Sequence, residues 1–202
     1  MKTLNVQYQL IDYSIPVYSS LEQSLKAGFF DRRELLLPAK QMFMTSGNWQ
    51  KIKAGHKRQT RRPSFRDFFN GVYWIREIAT YIEIKSDREN SYTCVQYGDR
   101  TFSGFIKLPP NFNKSNIKLG HKTPRGIPKC FARSFLSVLA SRKERLQDIS
   151  REDAIAEGIS PDSKDPIGDF IDLWDSIYEK KPGCNWKDNP VVSVLDIAYL
   201  NG

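Results

Sequence analysis

A cluster of basic residues between positions 53 and 62 is the part of this sequence best suited to contact a charged ligand. Lys53, Arg58, Arg61 and Arg62 all fall inside this short segment. An arginine guanidinium binds a phosphate through two parallel hydrogen bonds, so these side chains are candidates for contact with a nucleic acid. The alternative is that the arginines pair with the acidic residues that follow position 146. The sequence leaves both roles open.

The charges of the chain occur in blocks. Residues 40–66 contain eight Lys and Arg and no acidic residue, and residues 107–145 contain ten Lys and Arg against the single acid Glu144. Residues 146–202 carry a net charge of −7, and the whole chain carries +8. Such segregation indicates an electropositive face that attracts phosphates. A solvated basic surface without a ligand is the alternative interpretation.

Composition limits the class of protein. With 202 residues, the chain is long enough for one domain with a good core. It has no apolar run of the roughly 18 residues that a membrane-spanning helix needs, and its N-terminus has no apolar signal segment, so we expect a soluble, cytoplasmic protein with no membrane partner. Cys94, Cys130 and Cys184 are far apart, and His56 and His121 have no partners at metal-binding spacing. These patterns predict no disulfide, no metal and no cofactor.

A short helix and a turn precede the basic residues and must position them. Residues 46–55 combine an Asn or Ser cap, an apolar pair at i, i+3 spacing and a terminal Gly55, which predicts a two-turn helix. The element that follows contains Lys57 and Thr60 and stops at Pro63. Residues three apart on a strand point to opposite faces, so these two side chains converge only if the chain bends. Gly55 allows such a bend.

The rest of the sequence predicts several short strands with helices between them. Short runs rich in apolar, β-branched and aromatic residues favour strands at 42–45, 72–78, 79–84, 93–97, 131–139 and 191–197. Residues 108–128, rich in Pro, Gly and Asn, predict a long loop. Ser150 and Gly158 delimit a short helix that has Glu157 at its C-terminal end. The pattern is that of an α+β protein, in which a small barrel would protect the sheet edges.

Two tryptophans in the C-terminal part are candidates for the core. The helix that begins at Asp165 has one apolar face, formed by Phe170, Leu173, Trp174, Ile177 and Tyr178. Trp174 is therefore expected to be buried. Trp186 lies in a turn rich in Gly, Asn and Pro, where it either stacks on a base or closes the barrel. A core position is the better supported role for both.

Three stretches resemble the ASCH domain family, in particular the copies encoded by bacteriophages and prophages. Residues 53–62 are similar to the family's Ala-Gly-x-Lys-x-x-Thr-x-Arg element. Residues 144–159 look like the phage subgroup almost letter for letter, and residues 173–177 together with 186–190 complete the set. The resemblance covers residues 40–198.

The resemblance implies both a fold and an activity. The fold is a small mixed β-barrel with flanking short helices, related to the RNA-binding domain associated with pseudouridine synthases; it would occupy residues 40–202, with residues 1–39 as an N-terminal extension. Some family members are amidohydrolases that remove the acetyl group from N4-acetylcytidine. By motif position, their Thr nucleophile, activating Lys and nearby Glu correspond to Thr60, Lys57 and Glu157. A phage-type member would act in the cytoplasm of a bacterium or of a phage-infected cell.

These three residues can perform that chemistry only under defined conditions. A Thr hydroxyl is a weak nucleophile and needs a base within hydrogen-bond reach. Lys57 can be that base only when deprotonated, and burial together with the surrounding cations would lower its pKa in the required direction. Glu157 could orient Lys57 or accept a hydrogen bond from a cytosine amino group. In isolation, the same residues would be a solvated cation, a strand residue and a surface carboxylate.

Three functions fit these patterns. The favoured one is a binding module that recognises a nucleic acid, in particular RNA, or a modified nucleobase, because the sequence departs from the family at Asn70-Gly71 and has an added N-terminal segment. The second is an amidohydrolase that acts on an acylated nucleoside with Thr60 as nucleophile. The third is a phage accessory or morphogenesis protein that acts through protein contacts.

Overall fold

The computed structural model of the protein describes residues 17–27, 29–30, 40–64, 68–110, 112–123 and 126–200. The α-helices in these ranges are α1 (Leu21–Ala27), α2 (Ser46–Lys53), α3 (Arg151–Ala156) and α4 (Pro166–Tyr178). The strands are β1 (Val17–Tyr18), β2 (Phe29–Phe30), β3 (Gln41–Phe43), β4 (Gln59–Pro63), β5 (Gly71–Arg76), β6 (Ala79–Ser86), β7 (Ser91–Tyr97), β8 (Phe102–Ser103), β9 (Phe105–Lys107), β10 (Phe135–Arg145) and β11 (Val191–Leu200). Short helices among many strands confirm the α+β class.

The local elements follow the sequence signals closely, with two corrections. The N-cap of α2 is Thr45 rather than the predicted Asn or Ser, and its Oγ1 accepts a hydrogen bond from the backbone N–H of Asn48 at 3.3 Å. The strand predicted at 131–139 begins later and runs longer, because a 3-10 turn follows Pro128 and occupies residues 129–131. In the described part of the chain, every helix is too short or too polar to cross a membrane.

The chain forms two compact units. The first comprises residues 74–135 together with the described part of the N-terminal segment, and the second comprises residues 40–73 and 136–200. The chain therefore passes from one unit to the other within β5 and again at the start of β10. The predicted boundary at residue 40 and the assignment of residues 40–202 to one domain stay predictions.

The first unit is a sheet with the strand order β1-β8-β7-β9-β2, in which β6 also pairs with β7. β1 pairs antiparallel with β8, and β2 pairs parallel with β9, so the described part of the predicted N-terminal extension supplies strands to this sheet. Buried apolar side chains of β6, β7, β9 and the segment after them form its core, which comprises Ala79, Tyr81, Val95, Tyr97, Ile106, Leu108, Ile127 and Phe131.

The second unit contains the candidate site. Its sheet has the strand order β3-β5-β10-β11-β4. β11 pairs antiparallel with β4 in a register that places Asp196 opposite Gln59 and Leu195 opposite Thr60. α3 and α4 contribute to a core formed by Leu146, Ile149, Ala154, Phe170, Trp174, Val192 and Val194.

The apolar face of α4 is narrower than its sequence predicts. Phe170 and Trp174 are buried, which confirms the core position of Trp174. Leu173 and Ile177 are instead 37% and 59% exposed. Residues four apart lie almost directly above one another on a helix, so only one line of the five predicted residues contacts the core.

The predicted barrel is not seen among the described strands. The strand order of each sheet begins and ends at different strands, so neither order closes into a ring within the described ranges. What the structure supports is an α+β protein composed mostly of sheet with short helices. Closure into a barrel stays a prediction.

Candidate nucleobase cleft

The chain turns sharply between α2 and β4, and this turn positions Lys57. Gly55 adopts a φ of 75°, a conformation that costs a glycine little. The backbone N–H groups of His56 and Lys57 both donate to Lys51 O, at 2.9 and 3.1 Å. Lys57 thus precedes the first residue of β4, and the alternation of side chains along the strand does not extend to it. The bend predicted at Gly55 is confirmed.

Lys57 and Glu157 form a buried ion pair. Lys57 Nζ donates to Glu157 Oε2 and to Glu157 O, each at 2.6 Å, and the two side chains are 4% and 5% exposed. Glu157 is the C-cap of α3, and Ser150 is its N-cap, as the sequence predicts. Burial lowers the pKa of Lys57, Glu157 opposes this shift, and Arg62 and Lys51 add to it. The structure brings these two predicted residues together.

Gly158 allows the end of α3 to approach Lys57 closely. Its φ is 95°, and a Cβ at this position would lie 3.2 Å from Lys57 Cβ and 3.2 Å from Lys51 Cδ. The carbonyl oxygen of Gly158 accepts a hydrogen bond from Lys51 Nζ at 2.8 Å. The backbone N–H of Arg58 donates to Ala156 O at 2.8 Å, and this second hydrogen bond also holds the end of α3 against the segment that contains Lys57.

Arg61 is buried and has an acceptor for each of its five N–H groups. Its Nε and Nη2 donate to Glu144 Oε1 at 3.1 and 2.6 Å, and Nη2 also donates to Asp153 Oδ2 at 2.6 Å. Its Nη1 donates to Gln59 Oε1 at 2.7 Å and to Glu157 Oε1 at 3.5 Å. A guanidinium has five N–H donors, so none remains for a phosphate. The structure therefore supports pairing with acidic residues for Arg61 and not the predicted phosphate contact.

The ion pairs of this region join into one group, which we call the charged network. Arg142 extends it by donating to Glu144 Oε2 at 3.0 Å and to Asp153 Oδ2 at 2.8 Å, and its Nη1 lies 3.9 Å from Asp196 Oδ1. The members are Lys57, Arg61, Arg142, Glu144, Asp153, Glu157 and Asp196. Three cations thus face four carboxylates, so the network carries one excess negative charge when all groups are ionised.

Thr60 is fully buried on β4. Its Oγ1 has no hydrogen-bond partner among the described residues. A buried hydroxyl without a partner costs about 1–3 kcal/mol, so such atoms are uncommon and require an explanation. No hydrogen bond joins Thr60 to Lys57 or Glu157 among the described residues, so a site that combines all three stays a prediction.

A cavity of about 540 Å³ opens beside this network. Its volume falls in the range of small-molecule sites, roughly 300–1,000 Å³. The lining residues are Ile52, Lys53, Gly55, Lys57, Arg58, Gln59, Leu139, Ala156, Asp196, Ile197, Ala198 and Tyr199. Apolar walls with a few convergent polar groups are typical of a ligand site.

Two exposed cations line the cavity. Lys53 extends from α2, and its Nζ lies 5.1 Å from the centre of the Trp49 ring. Trp49 in turn contacts Tyr199 edge to face, with the ring centres 6.1 Å apart. Arg58 is exposed just before β4, and its backbone carbonyl accepts a hydrogen bond from Ile197 N at 2.8 Å. Both cations keep the exposure that a phosphate contact requires.

The other two side chains that were predicted to contact a nucleic acid, those of Arg62 and Trp186, contact other parts of the protein instead. Arg62 is partly buried and donates to Phe43 O and to Arg61 O, each at 3.1 Å. Trp186 is partly buried and packs against the core of the second unit, and its backbone N–H donates to Asp175 Oδ1 at 2.7 Å. Its position fits the core role and not the base-stacking role.

Gln59 and Asp196 are members of the site that the sequence analysis did not identify. Gln59 is buried, and its Nε2 donates to Asp196 Oδ1 at 3.0 Å. Asp196 was detectable as a carboxylate that interrupts the otherwise apolar run from Val194 to Ile197. An acidic residue in a buried strand is uncommon and marks a pairing or a ligand site.

No group of three or more His, Cys, Asp or Glu in the described ranges is arranged to hold a metal ion. Of the three cysteines, Cys94 and Cys184 are buried and Cys130 is partly buried, and all three are free thiols. His56 and His121 lie on the surface.

Comparisons with known proteins add little to this picture. No family model and no curated protein matches the sequence. The structure is similar to that of an ASCH domain from Lactobacillus crispatus JV V101, with 10% sequence identity, a TM-score of 0.39, and coverage of 89% of this chain and 90% of that one. Neither the identity nor the TM-score is high enough to carry an argument about function. Membership of the ASCH family stays a prediction.

Proposed function

We propose that the protein binds a nucleic acid or a nucleobase, with the base in the cavity between α2, β4 and β11. The observation that carries the proposal is the cavity itself. Its walls are apolar, its polar groups are few, and exposed Lys53 and Arg58 lie among its lining residues. A flat aromatic base suits apolar walls, and a phosphate attached to it suits the exposed cations.

The division between buried and exposed cations determines how such a ligand would be oriented. Lys57 and Arg61 are buried and already paired with carboxylates, so they offer no positive charge to a phosphate. Lys53 and Arg58 have no carboxylate partner among the described residues. We therefore place the phosphate near Lys53 and Arg58 and the base against Gln59.

A salt titration of RNA binding tests this proposal. Fluorescence anisotropy of a labelled single-stranded RNA would be measured at several salt concentrations for the wild type and for Lys53→Gln/Arg58→Gln. Removal of one phosphate interaction lowers the slope of log affinity against log salt by about 0.7–1. The double variant should bind more weakly and show a smaller slope. Lys164→Gln/Lys187→Gln, two exposed lysines of the same unit outside the cavity, is the matched control and should bind as the wild type does.

Two outcomes would contradict the proposal. Equal losses in the control and the cavity variant would mean that binding follows net charge rather than the cavity. Wild-type binding that does not change with salt would exclude phosphate contact at Lys53 and Arg58, and a wild type that binds no RNA at all would favour the phage accessory role through protein contacts.

The amidohydrolase is a second candidate, favoured by the unpartnered Thr60 Oγ1 and by the lowered pKa of Lys57, which burial causes. In this reaction Thr60 Oγ1 would attack the amide carbonyl and pass its proton to neutral Lys57. The amine would leave with that proton, and water would hydrolyse the acetyl ester to acetate. The ion pair with Glu157 must loosen before Lys57 can act as the base.

Release of cytidine from N4-acetylcytidine tests this second candidate. The wild type would be compared with Thr60→Ala and with Thr60→Val, which keeps the volume and removes the hydroxyl. Cytidine released by the wild type and not by either variant would support Thr60 as nucleophile. No cytidine from the wild type, or equal amounts from all three proteins, would exclude the mechanism.

A further inference from the structure

Asp196 presents a free carboxylate oxygen to the cavity. It lies on β11, lines the cavity, and its side chain is 44% exposed. Its Oδ1 accepts from Gln59 Nε2 at 3.0 Å and faces Arg142 Nη1 at 3.9 Å. Its Oδ2 has no hydrogen-bond partner among the described residues. A carboxylate oxygen only accepts, so a ligand at this position must donate.

Gln59 fixes the direction of that carboxylate. The amide oxygen of Gln59 accepts from Arg61 Nη1 at 2.7 Å, while its nitrogen donates to Asp196. Arginine can only donate and a carboxylate can only accept, so the amide cannot turn over without losing both bonds. Arg61 is itself held by three carboxylates. The direction of the Asp196 carboxylate is therefore set before a ligand binds, because Gln59 holds Asp196 and Arg61 of the charged network holds Gln59.

On the Asp196 side of the cavity, away from Lys53 and Arg58, the charged network also favours a donor. The charged network has four carboxylates and three cations, so its excess charge is negative. A carbonyl oxygen brought against Asp196 would meet a second acceptor with no hydrogen between them. An amino group would instead form a charge-assisted hydrogen bond.

We propose that Asp196 selects ligands whose base carries an exocyclic amino group, by accepting a hydrogen bond from that group. This inference rests on the proposed function, because it assumes that a base occupies the cavity. It adds a specificity-determining residue: bases that have the amino group bind, and otherwise identical bases that lack it bind more weakly. A hydrogen bond to a charged group contributes about 1.5–3 kcal/mol, which corresponds to roughly a tenfold to hundredfold preference.

Competition between matched nucleotides tests the inference. Three pairs of ribonucleoside 5′-monophosphates differ only by deletion of the amino group: guanosine and inosine, adenosine and purine riboside, cytidine and pyrimidin-2-one riboside. Each would displace a labelled RNA from the protein. The two members of a pair carry the same phosphate, so its contacts with Lys53 and Arg58 contribute equally to both affinities and cancel in the ratio of the two affinities. The wild type should prefer the amino member of at least one pair by about tenfold or more.

Asp196→Asn gives the decisive comparison. Asn keeps an oxygen for Gln59 and replaces the free acceptor by an N–H donor, so the preference should disappear or reverse. Asp172→Asn makes the same change of charge on the exposed side of α4, outside the cavity, and should keep the wild-type preference. A ratio is measured within each protein, so a moderate loss of stability in one variant does not change the interpretation. Asp196→Ala, which removes the acceptor without adding a donor, should abolish the preference without reversing it.

The outcomes separate the inference from the proposed function. If RNA binds but no pair shows a preference, or if Asp196→Asn keeps it, the role of Asp196 is wrong while the binding function stands. If neither RNA nor any nucleotide binds, the proposed function fails and the inference fails with it.

Discussion

Lys57 and Glu157 stabilise the protein only as a pair. Both side chains are almost fully buried, so each carries a desolvation cost that the partner must offset. Lys57 Nζ also donates to the backbone carbonyl of Glu157, which adds a second hydrogen bond at 2.6 Å. Removal of one partner leaves a buried charge, whereas removal of both leaves two neutral side chains. The two changes therefore have very different costs.

Lys57→Met should lower the free energy of unfolding by about 3 kcal/mol, the lower end of the range for breaking a buried pair, because Arg61 still faces Glu157. Lys57→Met/Glu157→Gln should recover part of that loss. Urea unfolding measures both, with Lys187→Met, an exposed lysine, as the control that should change by less than about 0.5 kcal/mol. If Lys57→Met is as stable as the wild type, the conclusion that Lys57 and Glu157 form a stabilising buried pair is wrong.

The lowered pKa of Lys57 predicts how the free energy of unfolding depends on pH. Burial holds this pKa below 10.5, its value in the unfolded chain. Between the folded and unfolded pKa values the unfolded chain binds more protons, so the contribution of Lys57 to the free energy of unfolding rises with pH and levels off above 10.5. The slope is at most about 1.4 kcal/mol per pH unit, since one proton is involved.

Urea unfolding from about pH 7 to about pH 10 measures this dependence. The reference is Lys57→Met/Glu157→Gln, which removes both charges of the ion pair. The wild type should gain stability relative to this double variant as the pH rises. A difference that does not rise over this interval would mean that the ion pair raises the pKa of Lys57 at least as much as burial lowers it, because a raised pKa would change the stability mainly above pH 10.5.

At the scale of elements, the end of α3 determines the geometry of the site. This helix carries Asp153 and Glu157 into the charged network, and its last turn lies against Lys57. The contact is possible because Gly158 has a positive φ and no side chain. A short helix of six residues has little intrinsic stability, so its caps and contacts hold it in place.

Gly158→Ala should destabilise the protein by more than about 1 kcal/mol, because a Cβ is strained at positive φ and would press on Lys51 and Lys57. It should also weaken ligand binding in the cavity. Gly47→Ala is the matched control: its Cβ would meet nothing within 4 Å, and Ala favours the helix by roughly 0.5–1 kcal/mol. Thermal unfolding and RNA binding of both variants are the measurements. Equal effects of the two substitutions would contradict the close approach at Gly158.

At the scale of the whole molecule, folding redistributes the charge blocks of the sequence. Residues 40–73 and 136–200 together contain sixteen Lys and Arg against fourteen Asp and Glu, so the second unit carries only +2. Residues 74–135 contain eleven Lys and Arg against five Asp and Glu, so the first unit carries +6. Most of the positive charge that acts at long range belongs to the unit without the cavity.

This distribution predicts two separable components of RNA binding. Lys114→Gln/Lys118→Gln/Lys122→Gln, three exposed lysines of the first unit, should lower affinity and reduce the salt slope by up to about 2 while leaving the preference for amino-bearing bases unchanged. Lys164→Gln/Lys180→Gln/Lys187→Gln makes the same charge change in the second unit and should have a smaller effect. Salt-dependent anisotropy measures the slopes. Equal slopes for both triple variants would mean that net charge alone drives the binding.

The local elements and part of the site could be predicted from the amino-acid sequence. The caps and glycines around α2 and α3 are encoded within a few residues, so the helix before Gly55 and the helix that ends near Glu157 were predictable. The burial of Trp174 followed from helical spacing. The pairing of Lys57 with Glu157 was expected only from the family resemblance, since the two residues are 100 positions apart.

The roles of the arginines and of Asp196 depend instead on contacts between distant parts of the chain. Arg61 and Arg58 have the same side chain and lie three residues apart. Arg61 is buried and donates to carboxylates that lie 83, 92 and 96 positions away in the sequence, whereas Arg58 is exposed. The register of β11 against β4 places Asp196 beside Gln59, across 137 positions. Local propensity cannot encode such pairings, because partner choice and strand register depend on how distant segments pack together.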